Sequence, residues 1–344
     1  MSRALRVILI VLAAVIVLVG IVPLLVPVPA LDTVPPQELA GPNSQFVTVN
    51  VRGVEVDVHT EQMGDGEPVF VLLHGFLSST FTWREVMQPL AQYGTVIAAD
   101  WMPYGLTERP LPREWRGGES PYTRDAQVDL TVGLLDALGI ERAILIGNSA
   151  GGALAAAVAY QHPERVEALV LVDAAVFVPG SAPDERRGGF FGLLSSPLVR
   201  ALGATPQMRH VGPLLVRSVR DWGLEFGRSA WHDPAKITDD IWAGYTLPLR
   251  ADNWDRALYE GLIAPPSQAD VAGHLDALTL PTLVVTGDDD RIVPTANSIA
   301  LAEALPQADL AVFEACGHVP QEECPDQFMA ALEGFLSEMG ITRR

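Results

Sequence analysis

A serine sits in the stretch Gly147-Asn148-Ser149-Ala150-Gly151-Gly152, with glycines two residues before and two after it. This G-x-S-x-G spacing suits a nucleophile held at a sharp strand-to-helix turn. A serine there takes a strained backbone conformation, and side chains at the flanking positions would collide with the neighbouring strand and helix. The turn pushes the hydroxyl out and leaves the Ala150 N–H at a helix N-terminus, aimed at the same space. By itself the pattern also fits a glycine-punctuated turn with an incidental serine. A serine nucleophile further needs a base, an acid and donors for an oxyanion. His318, in Ala315-Cys316-Gly317-His318, is the candidate base, and the run Gly287-Asp288-Asp289-Asp290 carries candidate acids. The loop His74-Gly75-Phe76-Leu77 offers backbone N–H groups, with that of Phe76 best placed to join Ala150 around an oxyanion. His74, one of seven histidines, lacks metal-ligand spacing around it and reads as a structural anchor of that loop.

Each of these groups follows an apolar run. Val69–Leu73, Val96–Ala99, Ala143–Ile146, Leu169–Val172 and Leu283–Val285 are short, rich in β-branched residues and bounded by turn residues. Such runs predict parallel strands buried on both faces. Helix-period segments alternate with them at Trp83–Ala91, Arg124–Leu138, Ala150–Tyr160 and Thr295–Leu305. A last strand at Leu310–Phe313 precedes a helix near Asp326–Glu338, and Phe46–Val51 with Val54–Thr60 reads as an antiparallel entry hairpin. The predicted fold is α/β, a mostly parallel central sheet with helices on both faces. Serine, aspartate and histidine, in that order, then fall at strand ends on one edge of the sheet, where open α/β folds bind ligands.

Residues 174–266 break this rhythm. They lack strand-like runs and carry Phe190, Phe191, Trp222, Trp231, Trp242, Tyr245 and Trp254, as a helical cap or lid would. The core is then 45–173 and 267–344, with a proline-bearing linker at 31–44 and residues 1–30 as a membrane anchor or signal segment. Val7–Val26 is a charge-free run of twenty residues, about the length that crosses a bilayer. Arg3 and Arg6 precede it, so the positive-inside rule puts the body of the protein outside the cytoplasm; cleavage near Val28-Pro29-Ala30 would make it secreted. A formal net charge of −19 argues against nucleic acid as a partner. Two cysteines, Cys316 and Cys324, exclude a disulfide framework and are expected as free thiols, with a local bridge as the alternative.

These pieces together resemble the cap-bearing α/β-hydrolase superfamily from about Gln45 to the C-terminus: the His74-Gly75 loop, Asp100 with Tyr104-Gly105-Leu106-Thr107, the Gly147–Gly152 stretch, Gly287-Asp288-Asp289-Asp290 with Pro294, and Gly317-His318. The resemblance implies an α/β-hydrolase fold with a helical cap insertion, and a triad of Ser149, Asp290 and His318. It selects Asp290, three residues after the glycine and four before the proline, and leaves Asp288 and Asp289 as turn residues. Asp173 is the alternative acid, since some relatives carry theirs after the preceding strand. Asn148 before the serine resembles carbon–carbon bond hydrolases and esterases, whereas the loop after His74 departs from the former. A serine nucleophile argues against haloalkane dehalogenase or epoxide hydrolase chemistry. The expected activity is cleavage of carboxylic esters of a small, apolar molecule through an acyl-enzyme. The alternatives are a carbon–carbon hydrolase or lactonase on the same triad, a perhydrolase side reaction, and a non-catalytic ligand-binding protein. No cofactor or metal is expected.

Overall fold

A computed structural model describes residues 2–115, 119–179, 196–265 and 271–344. Eight strands form one sheet: β1 Ser44–Val51, β2 Val54–Met63, β3 Val69–Leu73, β4 Thr95–Ala99, β5 Ala143–Asn148, β6 Val166–Val172, β7 Thr282–Gly287 and β8 Ala308–Phe313. Their spatial order is β1-β2-β4-β3-β5-β6-β7-β8. β1 and β2 form the expected hairpin, β2 runs antiparallel to β4, and the remaining pairs are parallel.

The central strands are apolar throughout because each face has a cover. Val69, Val71 and Leu73 of β3, with Leu145 of β5, pack under the helix Ala150–Gln161. Phe70 and Leu72, with Ile144 and Ile146, pack against Trp83, Leu90 and the helix Pro325–Glu338. The first of these helices is almost all alanine and glycine along its buried side, so it lies close against the sheet. The expected helix at Trp83–Ala91 is instead a 3-10 turn, Thr80–Trp83, and a short α-helix, Met87–Leu90. Pro89 has no N–H to donate, so an α-helix can begin only within the turn just before it.

Register decides what shares an edge. Leu73 pairs with Gly147, Asn148 with Val172, Val172 with Val285 and Gly287 with Phe313. The chain leaves these strands on one edge, directly into the loops that hold Phe76, Ser149, Asp173, Asp290 and His318.

Between β6 and β7 the described residues are helical and contain no strand of the sheet. Helices Pro206–Ser218 and Trp254–Ile263 pack on each other through Val216, Trp254, Tyr259 and Ile263. The aromatic pair Phe190 and Phe191 and the side chain of Trp222 lie outside what is described.

The N-terminal run differs from the single spanning helix expected of it. It is divided into an α-helix Arg3–Ile16, a π-helical turn Val17–Ile21 and an α-helical turn Val22–Leu25. Among the described residues no helix is long and apolar enough to cross a membrane. Pro23 cannot donate to the carbonyl four residues earlier, and the π turn, which includes Gly20, takes up that break. The far end of the run is tied to helix Pro206–Ser218. Gln207 Nε2 donates to Gly20 O at 2.9 Å, His210 Nε2 lies 2.9 Å from Val26 O, and Arg217 Nη1 donates to Pro29 O at 2.8 Å.

Candidate active site

Ser149 follows β5 with φ 53° and ψ −117°, a strained conformation for a residue with a side chain. Its N–H is held by Val172 O at 2.9 Å, and its carbonyl accepts from Ala175 N at 2.9 Å and Ala153 N at 3.1 Å. The neighbouring β6 therefore fastens the turn on both sides of the serine. The glycines are required by space. A Cβ on Gly147 would lie 2.4 Å from Gly151 O, and one on Gly151 would lie 2.1 Å from Leu73 O. Ala150 is the first residue of the helix, so its N–H has no carbonyl within the helix to bond and remains a free donor.

The loop after β3 runs beside this turn. A Cβ on Gly75 would be 3.2 Å from Ser149 Cβ, so the backbone leading to Phe76 lies against the serine. The loop's shape comes from a buried cluster behind it. His74 is fully buried and its Nδ1 sits 2.8 Å from Gly75 O, while Trp101 Nε1 donates to His74 O at 2.9 Å. Burial lowers the His74 pKa, so the ring is neutral and structural, as expected. Asp100 accepts from Thr80 N and Leu106 N, each at 2.7 Å, and pairs with His59 Nδ1 at 2.7 Å. Burial pushes the Asp100 carboxyl upwards, but the His59 charge and hydrogen bond outweigh it and hold Asp100 below the usual range. Burial lowers the His59 pKa, but the Asp100 charge and hydrogen bond, with the Glu61 charge, together outweigh it and raise it. His59 gave no signal in the sequence, because it is one polar residue inside an alternating strand.

Asp290 lies past β7. Its Oδ1 accepts from Ile292 N at 2.7 Å and Val293 N at 2.9 Å, leaving Oδ2 to meet His318 Nδ1 at 2.7 Å. Asp288 accepts from Cys316 N at 3.3 Å, and Asp289 faces out to His232 Nδ1, at 2.9 Å, and Arg291. Both are turn residues, as the resemblance implied. His318 is tied to the serine turn through Asn148, whose Nδ2 donates to His318 O at 3.0 Å and, more weakly, to Val172 O at 3.3 Å. Its own N–H donates to Ala230 O at 2.6 Å, in the helical segment between β6 and β7. Asp173, the alternative acid, is also here: one oxygen each from Asp173 and Asp290 and a ring nitrogen of His318 lie within 4.8 Å of one another.

Two neighbours of His318 escaped sequence reasoning. Glu323 accepts from Gly317 N at 2.9 Å and from His232 N and Asp233 N, each at 2.8 Å. One carboxylate thus joins the histidine loop to the helical segment above it. Glu322, beside it, is buried and accepts from Thr82, Arg84 and Tyr245. Burial pushes the Glu322 carboxyl up against the opposing pull of Arg84. In the sequence these two acids look like the solvated start of a helix. The cysteines also depart from expectation: Cys316 and Cys324 are bridged. The tight turn after β8 and the helical turn Pro320–Glu323 bring their Cα atoms to 6.2 Å, within bridging range. The bridge encloses both His318 and Glu323.

A hydroxyl on a strained turn, a histidine paired with a buried carboxylate and the N–H of Ala150 at the helix start are groups that nucleophilic hydrolysis uses. Known hydrolases are similar to this chain in sequence and in structure. The alpha/beta hydrolase fold family profile matches residues 68–325. The 2-hydroxymuconate semialdehyde hydrolase of Pseudomonas sp. (strain CF600) is 33% identical over 296 residues, 83% of this chain and 92% of that protein. The 2-hydroxy-6-oxononadienedioate/2-hydroxy-6-oxononatrienedioate hydrolase of Paraburkholderia phymatum is 30% identical over 302 residues, 86% of this chain and 96% of that one. Among solved structures, a meta-cleavage product hydrolase from Pseudomonas fluorescens IP01 superposes with a TM-score of 0.61 at 27% identity, covering 86% of this chain and 98% of that one. The chain belongs to the α/β-hydrolase superfamily, in its esterase and carbon–carbon hydrolase branch, and it is a hydrolase.

Proposed function

We propose that the protein hydrolyses a carbon–carbon bond next to a ketone in a small 2-hydroxy-6-oxo-dienoate-type molecule, using Ser149, His318 and Asp290. The observation that carries this reading is the likeness to the semialdehyde hydrolase, which extends over 92% of that relative. His318 takes the Ser149 proton as the hydroxyl oxygen bonds to the ketone carbon, and Asp290 stabilises the imidazolium. The N–H groups of Phe76 and Ala150 hold the oxyanion. Before cleavage the dienol ketonises, the 2-hydroxyl losing its proton and C5 gaining one, so that a 2-oxo group conjugated with C3=C4 stands beside the bond to be broken. When the tetrahedral centre collapses, the C5–C6 bond breaks and its electron pair passes through C3=C4 onto the 2-oxo oxygen as a dienolate. His318 protonates that leaving group. Water, activated by the same histidine, then releases the acid from Ser149. The described helices between β6 and β7 act as the lid, held to the histidine loop through Glu323 and Ala230.

Carboxylic esters and lactones would follow the same steps with an oxygen leaving group. A panel of purified 2-hydroxy-6-oxo-dienoates, nitrophenyl esters and lactones separates these readings. The expected result is a kcat/KM for the dienoates at least about tenfold above that for any ester, a difference of roughly 1.4 kcal/mol in transition-state stabilisation. Efficient ester cleavage with no dienoate turnover would overturn the carbon–carbon reading and leave the triad standing.

We also propose that the N-terminal run holds the chain at a membrane with the hydrolase outside the cytoplasm. Leu5, Val7, Leu9, Ile10, Leu18 and Val19 are exposed, and the Cys316–Cys324 bridge suits an oxidising compartment. The full chain should sediment with membranes, resist a high-salt wash and dissolve in detergent. Recovery in the supernatant without detergent would count against it.

A further inference from the structure

Two buried carboxyl groups each bring an oxygen within 4.8 Å of a ring nitrogen of His318, and they are not equally supplied with donors. Asp290 accepts from two backbone N–H groups and faces His318 Nδ1. Asp173 is fully buried and accepts at Oδ1 from Thr286 Oγ1 at 2.6 Å, while its Oδ2 has no donor among the described residues. Two like charges this close in a dry site cannot both be kept, and the group with fewer donors gives up its charge. A buried oxygen without a donor becomes satisfied when it carries a proton and finds an acceptor.

We propose that Asp173 is a protonated carboxylic acid that donates to the Asp290 carboxylate, and so acts as a positioning residue behind the His318–Asp290 pair. Burial, and then the Asp290 charge, push the Asp173 carboxyl well above the usual carboxylate range, in keeping with that assignment. Its backbone is fastened for the role. Asp173 takes φ 44°, a left-handed conformation that aspartate tolerates, and its N–H donates to Val285 O at 2.8 Å. The other charged groups near the site are engaged elsewhere: Asp288 with Cys316 N, Asp289 with His232 and Arg291, and Glu323 with three backbone amides. The proton on Asp173 draws charge from Asp290. That sets how much negative charge Asp290 presents to the His318 ring.

The inference rests on the serine–histidine–aspartate reading given above, and its test has an arm independent of activity. Infrared spectra of the unmodified protein at neutral pH should contain a protonated-carboxyl C=O band that Asp173→Asn removes. In kinetics, Asp173→Asn keeps a donor for Asp290 and should leave kcat and the acid limb of kcat/KM near those of the unmodified enzyme. Asp173→Leu removes the donor. It should lower kcat roughly tenfold, the scale of one charge-assisted hydrogen bond, and move the acid limb about one pH unit higher. A merely structural role would lower the yield of folded enzyme without moving that limb. No band assignable to Asp173, or an equal loss in Asp173→Asn and Asp173→Leu, would overturn the proposal even with the triad intact. Failure of the triad itself would show instead as undiminished turnover in Ser149→Ala.

Discussion

Ser149→Ala should lower kcat by roughly three to six orders of magnitude while leaving the fold and substrate binding in place, the scale of loss found when a triad nucleophile is removed. The fold should survive because, among the described residues, no hydrogen bond of the Ser149 hydroxyl supports it. The turn is held by the backbone bonds to Val172 and Ala175 and by the Gly147–Gly151 contact, none of which involves the side chain. The methyl group of alanine also fits where the serine Cβ already sits. Residual activity should come from the Phe76 and Ala150 donors alone and lose its dependence on the protonation of His318, because no hydroxyl remains for that base to activate. The check is single-turnover kinetics on the preferred substrate, with near-ultraviolet circular dichroism as the control for folding. A variant retaining more than about one tenth of wild-type kcat would remove Ser149 from the mechanism.

Asp100→Ala should be among the most damaging substitutions for stability, costing about 3–5 kcal/mol, because it strands His59 and frees two amides in a closed interior. Asp100 accepts from Thr80 N and Leu106 N as well as pairing with His59, and all of these lie behind the loop that leads to Phe76. A loss of that size should appear as a fall in Tm of roughly 5–10 °C. It should also weaken catalysis, since the backbone donor on the loop loses its support. The pair has a defined pH window. Asp100 is held below its ordinary pKa, so its share of the stability is present at neutral pH and is lost as pH falls through the lowered value. His59 is held above its ordinary pKa, so its share is complete at low pH and is lost as pH rises through the raised value. The Tm difference between the native protein and Asp100→Ala should therefore be greatest on the neutral to mildly acidic side and shrink at both extremes. A difference that stays constant across that range would refute the ion pair.

The parts of the fold set by local periodicity are legible in the sequence. Eight strands fall where apolar runs or alternation place them: β3, β5 and β7 are buried on both faces and so read as unbroken apolar runs, whereas the half-exposed β1 alternates. The Gly147–Gly151 turn was equally legible, since steric demand leaves glycine as the residue that fits. What failed locally has a local cause: Pro89 divides the expected helix at Trp83–Ala91, and Pro23 with the π turn divides the N-terminal run.

The sequence by itself determined the order of serine, aspartate and histidine and the strand that precedes each one, because those relations lie within a few residues of chain. Only the tertiary structure decided which loops touch. Sheet order places β6 between β5 and β7, so Asp173 and Asp290 approach the same imidazole rather than competing as alternatives. The turn after β8 folds Cys324 back onto Cys316 and sets Glu323 among three amides from two separate segments. A carboxylate's role depends on which donors surround it, and here most of those donors arrive from distant parts of the chain, where no spacing rule reaches.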